Sequence, residues 1–238
     1  MQNKAKQRTS AQHSIDGRFQ DAADGRRFES RNPFNNQICG SAARASAADV
    51  DLAVRAAHRA FHQGPWPDSP RGHRAQILRQ IADGLRSNLS RLVMCEIADA
   101  GSTRKKAADD LLSSIAFMNE FADLAERLEM DHKISEQTEV RRMPVGVCAA
   151  IIPWNFPLKM ALWKIAPALA TGNTLVLKPS ELTPLSAHIL AEILDATDLP
   201  PGVVNIIHGY GPEAGEALTQ HALVNKITFT GSTATGRR

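Results

Sequence analysis

The chain has 238 residues, of which 43% are hydrophobic and 22% charged, with a formal net charge of +3. That is a globular composition, long enough for one large domain or two small ones. The basic excess is spread along the chain as a solvated surface and aromatics are only 5%, so nucleic acid is not an expected partner.

The start, MQNKAKQRTSAQHS, is basic and free of acids but has no apolar core, so it is not a secretory signal. Residues 1–17 are expected to form a disordered tail. Residues 18–45 read as extended, with turn signals at ADG and RNPFNN. SAADVDLAVRAAHRAF then opens a helix, with Ser46 as N-cap and Asp49 three residues on. Val50, Ala53, Val54, Ala57 and Phe61 recur there at helical spacing. GPWPDSP (64–70) breaks that helix, and helix resumes over about 71–88, 90–100 and 104–129. QTEVRRMP alternates as an edge strand or arm, placed at 131–144.

From residue 145 strands and helices alternate. VGVCAAII reads as a buried strand, and PLKMALWKIAPALA as a helix with Pro157 in its first turn. NTLVLK, GVVNII and VNKITFT are strands. TPLSAHILAEILDA and PEAGEALTQH are helices, and GSTATG opens another. These lengths suit βαβ units, so the expected fold is α/β, a parallel sheet covered on both faces. The longest apolar run, VGVCAAIIPW (145–154), is too short to span a bilayer, and no membrane is expected. Cys39, Cys95 and Cys148 form neither metal spacing nor a disulfide framework, which points to a reducing cytoplasm and no metal site.

Ligands of such sheets bind beyond the carboxyl ends of the strands. Four stretches fall there: PWNF (153–156), KPSE (178–181), GYGP (209–212) and GSTATG (231–236). GSTATGRR is not a P-loop, because Arg237 and Arg238 stand where Lys and Ser or Thr are required, and it is not GxGxxG. It is either a phosphate-holding helix start with Ser232 or a plain helix cap. Lys178 and Glu181 either bond two neighbouring hydroxyls or form a surface ion pair of little worth, and spacing alone favours the pair. Asn155 either offers an uncharged amide to a developing oxyanion or caps the helix after it. Met160 and Trp163 share a helix face and either line an apolar substrate passage, with Phe156, or pack in the core.

IIPWNFPLKMALWKIAPALATGNTLVLKPSELTPLSAHILAEIL, LPPGVVNIIHGYGPEAGEAL and KITFTGSTATGR, in this order, resemble the NAD(P)-dependent aldehyde dehydrogenase superfamily. The resemblance is nearly continuous over 140–238 and looser over 25–130. It implies a Rossmann-like cofactor region over 145–238, preceded by its amino-terminal part over 18–130. It implies that Asn155 donates to the oxyanion and that Lys178 and Glu181 bind the adenosine ribose. Ser232 would meet the pyrophosphate, and Ile151, Pro153, Trp154, Gly211, Phe229 and Gly231 would shape the cofactor cleft. Lys164 matches a lysine with a proton-relay role in some members. Glu181 implies NAD, while Ser180 leaves room for NADP. The substrate would be a small-molecule aldehyde, and TEVRRM resembles the family's oligomerisation strand, implying a homo-oligomer in the complete protein.

In that family the cysteine nucleophile and the glutamate base lie in segments well beyond GSTxxG. The sequence stops at Arg238, so the catalytic domain is expected to be absent and this chain alone inactive, an amino-terminal fragment or a nucleotide-binding module. None of the three cysteines has surroundings that would activate it. With its last strand poorly covered, the isolated chain is expected to be unstable or sticky.

Overall fold

In the computed structural model, residues 9–127 and 131–237 are described. Strands β1 (Thr9–Ala11), β2 (His13–Ile15), β3 (Arg18–Gln20), β4 (Arg27–Arg31) and β5 (Ile38–Ala43) come first. Four helices follow: α1 (Ala47–His62), α2 (Arg71–Ser87), α3 (Leu89–Ala100) and α4 (Arg104–Arg127). The hairpin β6 (Asp131–Ser135) and β7 (Thr138–Arg141) leads into the alternating part. That part runs β8 (Val147–Ile151), α5 (Pro157–Ala170), β9 (Thr174–Lys178), α6 (Leu185–Asp195) and β10 (Val204–Ile206). It continues with a π-helical turn (Gly211–Gly215), α7 (Glu216–Thr219), β11 (Lys226–Phe229) and α8 (Thr233–Gly236).

Local chemistry explains the start of α1. The Ser46 side chain accepts from Asp49 N, and the Asp49 carboxylate accepts from Ser46 N at 2.8 Å, a reciprocal capping box. The α1 residues Val50, Ala53, Val54 and Ala57 then face one side of the main sheet, against Ala149 and Val176. On the other side Cys148, Ala150, Leu175 and Leu177 pack under α5 and α6, with α2 and α4 outside them. Alternate residues of β8 and β9 thus enter opposite cores, which is why β8 and the Leu175–Leu177 centre of β9 are apolar.

The main sheet has six strands in the order β11-β8-β9-β10-β2-β3. It is parallel across β11, β8, β9 and β10, while β2 and β3 add antiparallel pairs. The four strands expected to form a parallel sheet do so, and β2 and β3 extend it at one edge as antiparallel additions. A second sheet, β1-β5-β4, lies beside α6.

The disordered tail expected over 1–17 is corrected for residues 9–17; residues 1–8 lie outside the described residues. Ala11, His13 and Ile15 are buried, and β1 pairs with β5 while β2 pairs with β10. Asp16 and Gly17 turn the β2–β3 hairpin at φ 55° and 71°, and glycine accepts that left-handed backbone without a Cβ clash. Burial of three alternate side chains outweighs the polar composition around them. The arm expected as one strand over 131–144 is a two-stranded hairpin, exposed along all of β6. The helix expected to reach 129 is described to Arg127, and 128–129 lie outside the described residues. No helix among the described residues is long and apolar enough to cross a membrane.

Candidate functional site

The three parallel strands β11, β8 and β9 end in register. Phe229 lies opposite Ile151, and Ile151 opposite Lys178, so three candidate residues form one row across the sheet. Thr230 N donates to Ile151 O at 3.0 Å and Ile152 N to Lys178 O at 3.2 Å, which fixes the loops that leave the row. The PWNF, KPSE and GST stretches follow directly from it.

Lys178 is 2% exposed. The surface ion pair favoured by spacing is thereby corrected, because the π-helical turn packs on the side chain, with Gly215 beside its Cδ and Cε. Its Nζ donates to Pro179 O at 2.6 Å and to Glu181 Oε2 at 3.4 Å, leaving one proton for another acceptor. Burial pulls the ammonium below its usual pKa, against the pull of Glu181. Ser180 is buried and its Oγ accepts from Leu182 N at 3.3 Å. Gly211 opens the π-helical turn. A Cβ on Gly215 would stand 3.6 Å from Lys178 Cδ, so Gly215 is the floor beside the lysine. Sequence reading passed over Gly215, although the four-residue interval of GPEAG was a signal for a bare face.

The helix-cap alternative for Asn155 is corrected too. Phe156 is the N-cap of α5 and makes no side-chain cap bond. Helix α5 begins one residue too late for Asn155 to cap it. The exposed Asn155 amide has no hydrogen-bond partner among the described residues, while its backbone O accepts from Lys106 Nζ at 3.4 Å. Pro153 is half-buried and Trp154 54% exposed, at the mouth of the row.

Ser232 caps α8: its Oγ accepts from Thr235 N at 3.1 Å and shares a hydrogen bond with Thr235 Oγ1. A Cβ on Gly231 would lie 2.4 Å from Phe229 Cζ, so only glycine lets this turn sit on the ring. The whole turn is exposed.

The substrate-side candidates divide. Met160 packs at the margin of the core, while Trp163 is 42% exposed against Phe117, ring centroids 5.9 Å apart. Phe156 lies under Lys106, whose Nζ is 4.1 Å from its ring centroid. Lys164 sits about two turns along α5, roughly 10 Å from its start, away from the row. Burial lowers its pKa.

All three thiols are free, and burial pushes each of them up rather than toward thiolate. Among the described residues no group of three or more His, Cys, Asp or Glu could hold a metal ion.

The model of the aldehyde dehydrogenase family matches residues 19–238. The chain is 44% identical to 2-hydroxymuconic semialdehyde dehydrogenase of Pseudomonas sp. strain CF600, over 94% of this chain and 48% of that protein. It is 40% identical to aldehyde dehydrogenase 1A1 of Gallus gallus, over 94% and 45%. Among solved structures, the NAD+ complex of aldehyde dehydrogenase from Bacillus cereus superposes with a TM-score of 0.92 at 38% identity, covering 96% of this chain and 48% of that one. Betaine aldehyde dehydrogenase from Staphylococcus aureus in complex with NAD+ gives 0.92 at 34%, covering 95% and 46%. The chain spans about half the length of the relatives it matches.

Proposed function

The chain belongs to the aldehyde dehydrogenase family, and from that membership we propose that it forms the cofactor side of an NAD-dependent oxidoreductase that converts an aldehyde to a carboxylic acid. One observation carries the reading: the row Phe229–Ile151–Lys178 with the unpartnered Asn155 amide beside it. A dinucleotide fits this edge. Lys178 keeps a proton for a ribose hydroxyl, and Glu181 supplies an acceptor beside it. The Glu181 carboxylate repels a 2′-phosphate and so favours NAD, while Ser180 leaves room for NADP. Ile151, Pro153, Trp154, Gly211, Phe229 and Gly231 shape the cleft, and the first N–H groups of α8, set by Ser232, face the pyrophosphate. The bound nicotinamide supplies hydride acceptance.

The Asn155 amide donates an uncharged N–H to the oxygen that becomes anionic when a thiolate adds to the aldehyde. Phe156, Met160 and Trp163 border the aldehyde, and Lys164 stands in reserve for proton transfer. The thiolate is not drawn from Cys39, Cys95 or Cys148, because burial pushes each of these thiols up rather than toward thiolate. The protein works in a reducing cytoplasm, and the exposed β6–β7 hairpin joins copies of the complete protein.

The same thiols favour a second reading, a nucleotide-binding module without turnover of its own. Calorimetry with NAD+ and NADP+ tests both. Binding by the 238-residue chain, weakened about tenfold or more in Lys178→Met, supports the cofactor site. In the complete protein Asn155→Ala lowers kcat by roughly 10²–10³ with NAD+ affinity retained. An equal loss of NAD+ affinity gives Asn155 a structural role instead. NAD+ binding without aldehyde turnover by the complete protein leaves the module.

A further inference from the structure

The face of α5 that carries Phe156, Met160 and Trp163 also carries Lys159, since residues three and four apart are neighbours on a helix. A lysine among aromatic and thioether side chains does not suit a passage for uncharged aldehydes. Lys159 Nζ stands between two rings, 5.7 Å from the Phe156 centroid and 5.6 Å from that of Trp163. From α4, Lys106 covers the same Phe156 ring at 4.1 Å and reaches the backbone O of Asn155.

Between the two ammonium groups lies one carboxylate. Lys106 Nζ donates to Asp110 Oδ2 at 2.9 Å and Lys159 Nζ to Asp110 Oδ1 at 3.2 Å. Burial would raise the Asp110 carboxyl, but the bonds from both lysines outweigh it and hold it ionised. Behind them the buried Glu96 carboxyl is pushed up to about 7, chiefly by burial, so it supplies only part of a second negative charge. The neighbouring Lys105 is matched by Asp109 at 2.6 Å. The cluster therefore holds two positive charges against one full negative charge, and it touches Asn155 through the Lys106 bond to its backbone O.

We propose that Lys106 and Lys159 form an anion-binding subsite at the mouth of the aldehyde passage, and that the substrate is a short aldehyde carrying a carboxylate at its far end. The proposal rests on the aldehyde-oxidising reading above. After these bonds Lys106 has one proton left and Lys159 two, and a charge-assisted hydrogen bond to a carboxylate is stronger than a neutral one. The aromatic faces beside both lysines favour the cations in place.

Two measurements test this independently. Glutarate, a dicarboxylate that cannot be oxidised as an aldehyde, is titrated into the protein while the backbone amide resonances of Phe156, Lys159 and Trp163 are followed. A saturable shift is expected. It should weaken about tenfold or more in Lys159→Met or in Lys106→Gln, and recover in Lys159→Arg, which also shows that the fold survives. No saturable shift in the wild type overturns the subsite, as does wild-type affinity in both Lys159→Met and Lys106→Gln. The second measurement uses the complete protein. The ratio of kcat/KM for an ω-carboxylated aldehyde to that for its methyl ester should fall about tenfold in Lys159→Met, and a ratio that stays put overturns the substrate assignment. If neither aldehyde is oxidised, the aldehyde reading itself fails, and the glutarate titration still decides the anion subsite.

Discussion

β9 and β11 are parallel strands of one sheet, two places apart, and they end in opposite states. All five residues of β9 are buried, whereas β11 exposes Lys226 and Ile227 and half-buries Thr228 and Phe229. β9 has β8 and β10 as neighbours with α1 and α5 above and below it; β11 pairs only with β8 among the described residues. The consequence lies at their carboxyl ends. A strand closed on four sides fixes a buried lysine and its carboxylate in one geometry. A strand at an edge ends in a turn whose hydroxyl and N–H groups stand in solvent. The ribose side of the proposed cofactor cleft is thus built into this chain's interior, and the pyrophosphate side is presented on its surface.

The largest effect expected of this contrast is on stability. Leu177, fully buried in β9, should cost about 2–5 kcal/mol when replaced by alanine, whereas Ile227→Ala on β11, where the side chain is 45% exposed, should cost less than about 1 kcal/mol. Urea unfolding of the two variants compares them directly. Equal losses would break the contrast and mean that β11 is covered in solution by another copy of the chain, as an open strand edge invites.

The closed side also holds groups that titrate. His13 in β2 and His208 after β10 are both buried, with rings stacked at 6.1 Å, and His208 N donates to His13 Nδ1 at 3.1 Å. Burial pushes His13 down to about 4 and His208 well below its usual value. Both are neutral in the fold and charge in the unfolded chain below 6.5. The unfolded state then binds more protons, so stability is lost as pH falls from 6.5 toward 4, by about 3 kcal/mol for His13 alone. Glu96 works in the opposite direction. Its carboxyl, pushed up to about 7 from 4.5 by burial, adds stability as pH falls through that range. His13→Gln should flatten the acid loss and Glu96→Gln should steepen it, measured as unfolding free energy at several pH values between 4 and 7. An unaltered slope in His13→Gln would mean that the ring is hydrated in the fold.

Which parts of this were legible in the sequence follows from range. The α1 cap is local and is written in Ser46 and Asp49, three positions apart; the buried strands are written in the apolar run of β8 and the Leu175–Leu177 centre of β9. The β2–β3 hairpin was written too, in the Asp16–Gly17 pair, but the polar residues around it hid that signal. The family motifs marked the strand ends and with them most of the candidate site. Spacing showed Lys178 next to Glu181 but not that the lysine is buried, because the turn that packs on it is distant in sequence. The freedom of Asn155 turned on where α5 begins, a matter of one residue. His13 and His208 are 195 positions apart, and no local pattern shows that their rings meet.

The smallest expected effect is the sharpest test of the open side. Ser232 caps a four-residue helix that buries nothing, so the cap has little of the rest of the molecule to hold. An N-cap elsewhere is worth about 1 kcal/mol of protein stability. Here that energy should stay local, because exposed segments open without global unfolding. Ser232→Ala should therefore leave the unfolding midpoint where it is and speed hydrogen exchange at the Thr235 amide, which loses its bond to Ser232 Oγ, by roughly fivefold. A lowered midpoint would show that the turn is coupled to the sheet, and the pyrophosphate side would then be as preformed as the lysine side. Retained slow exchange would mean that another acceptor takes the Thr235 proton. If NAD+ slows that exchange in the wild type, the ligand is ordering the turn, as expected of a site whose one wall is fixed and whose other wall closes on binding.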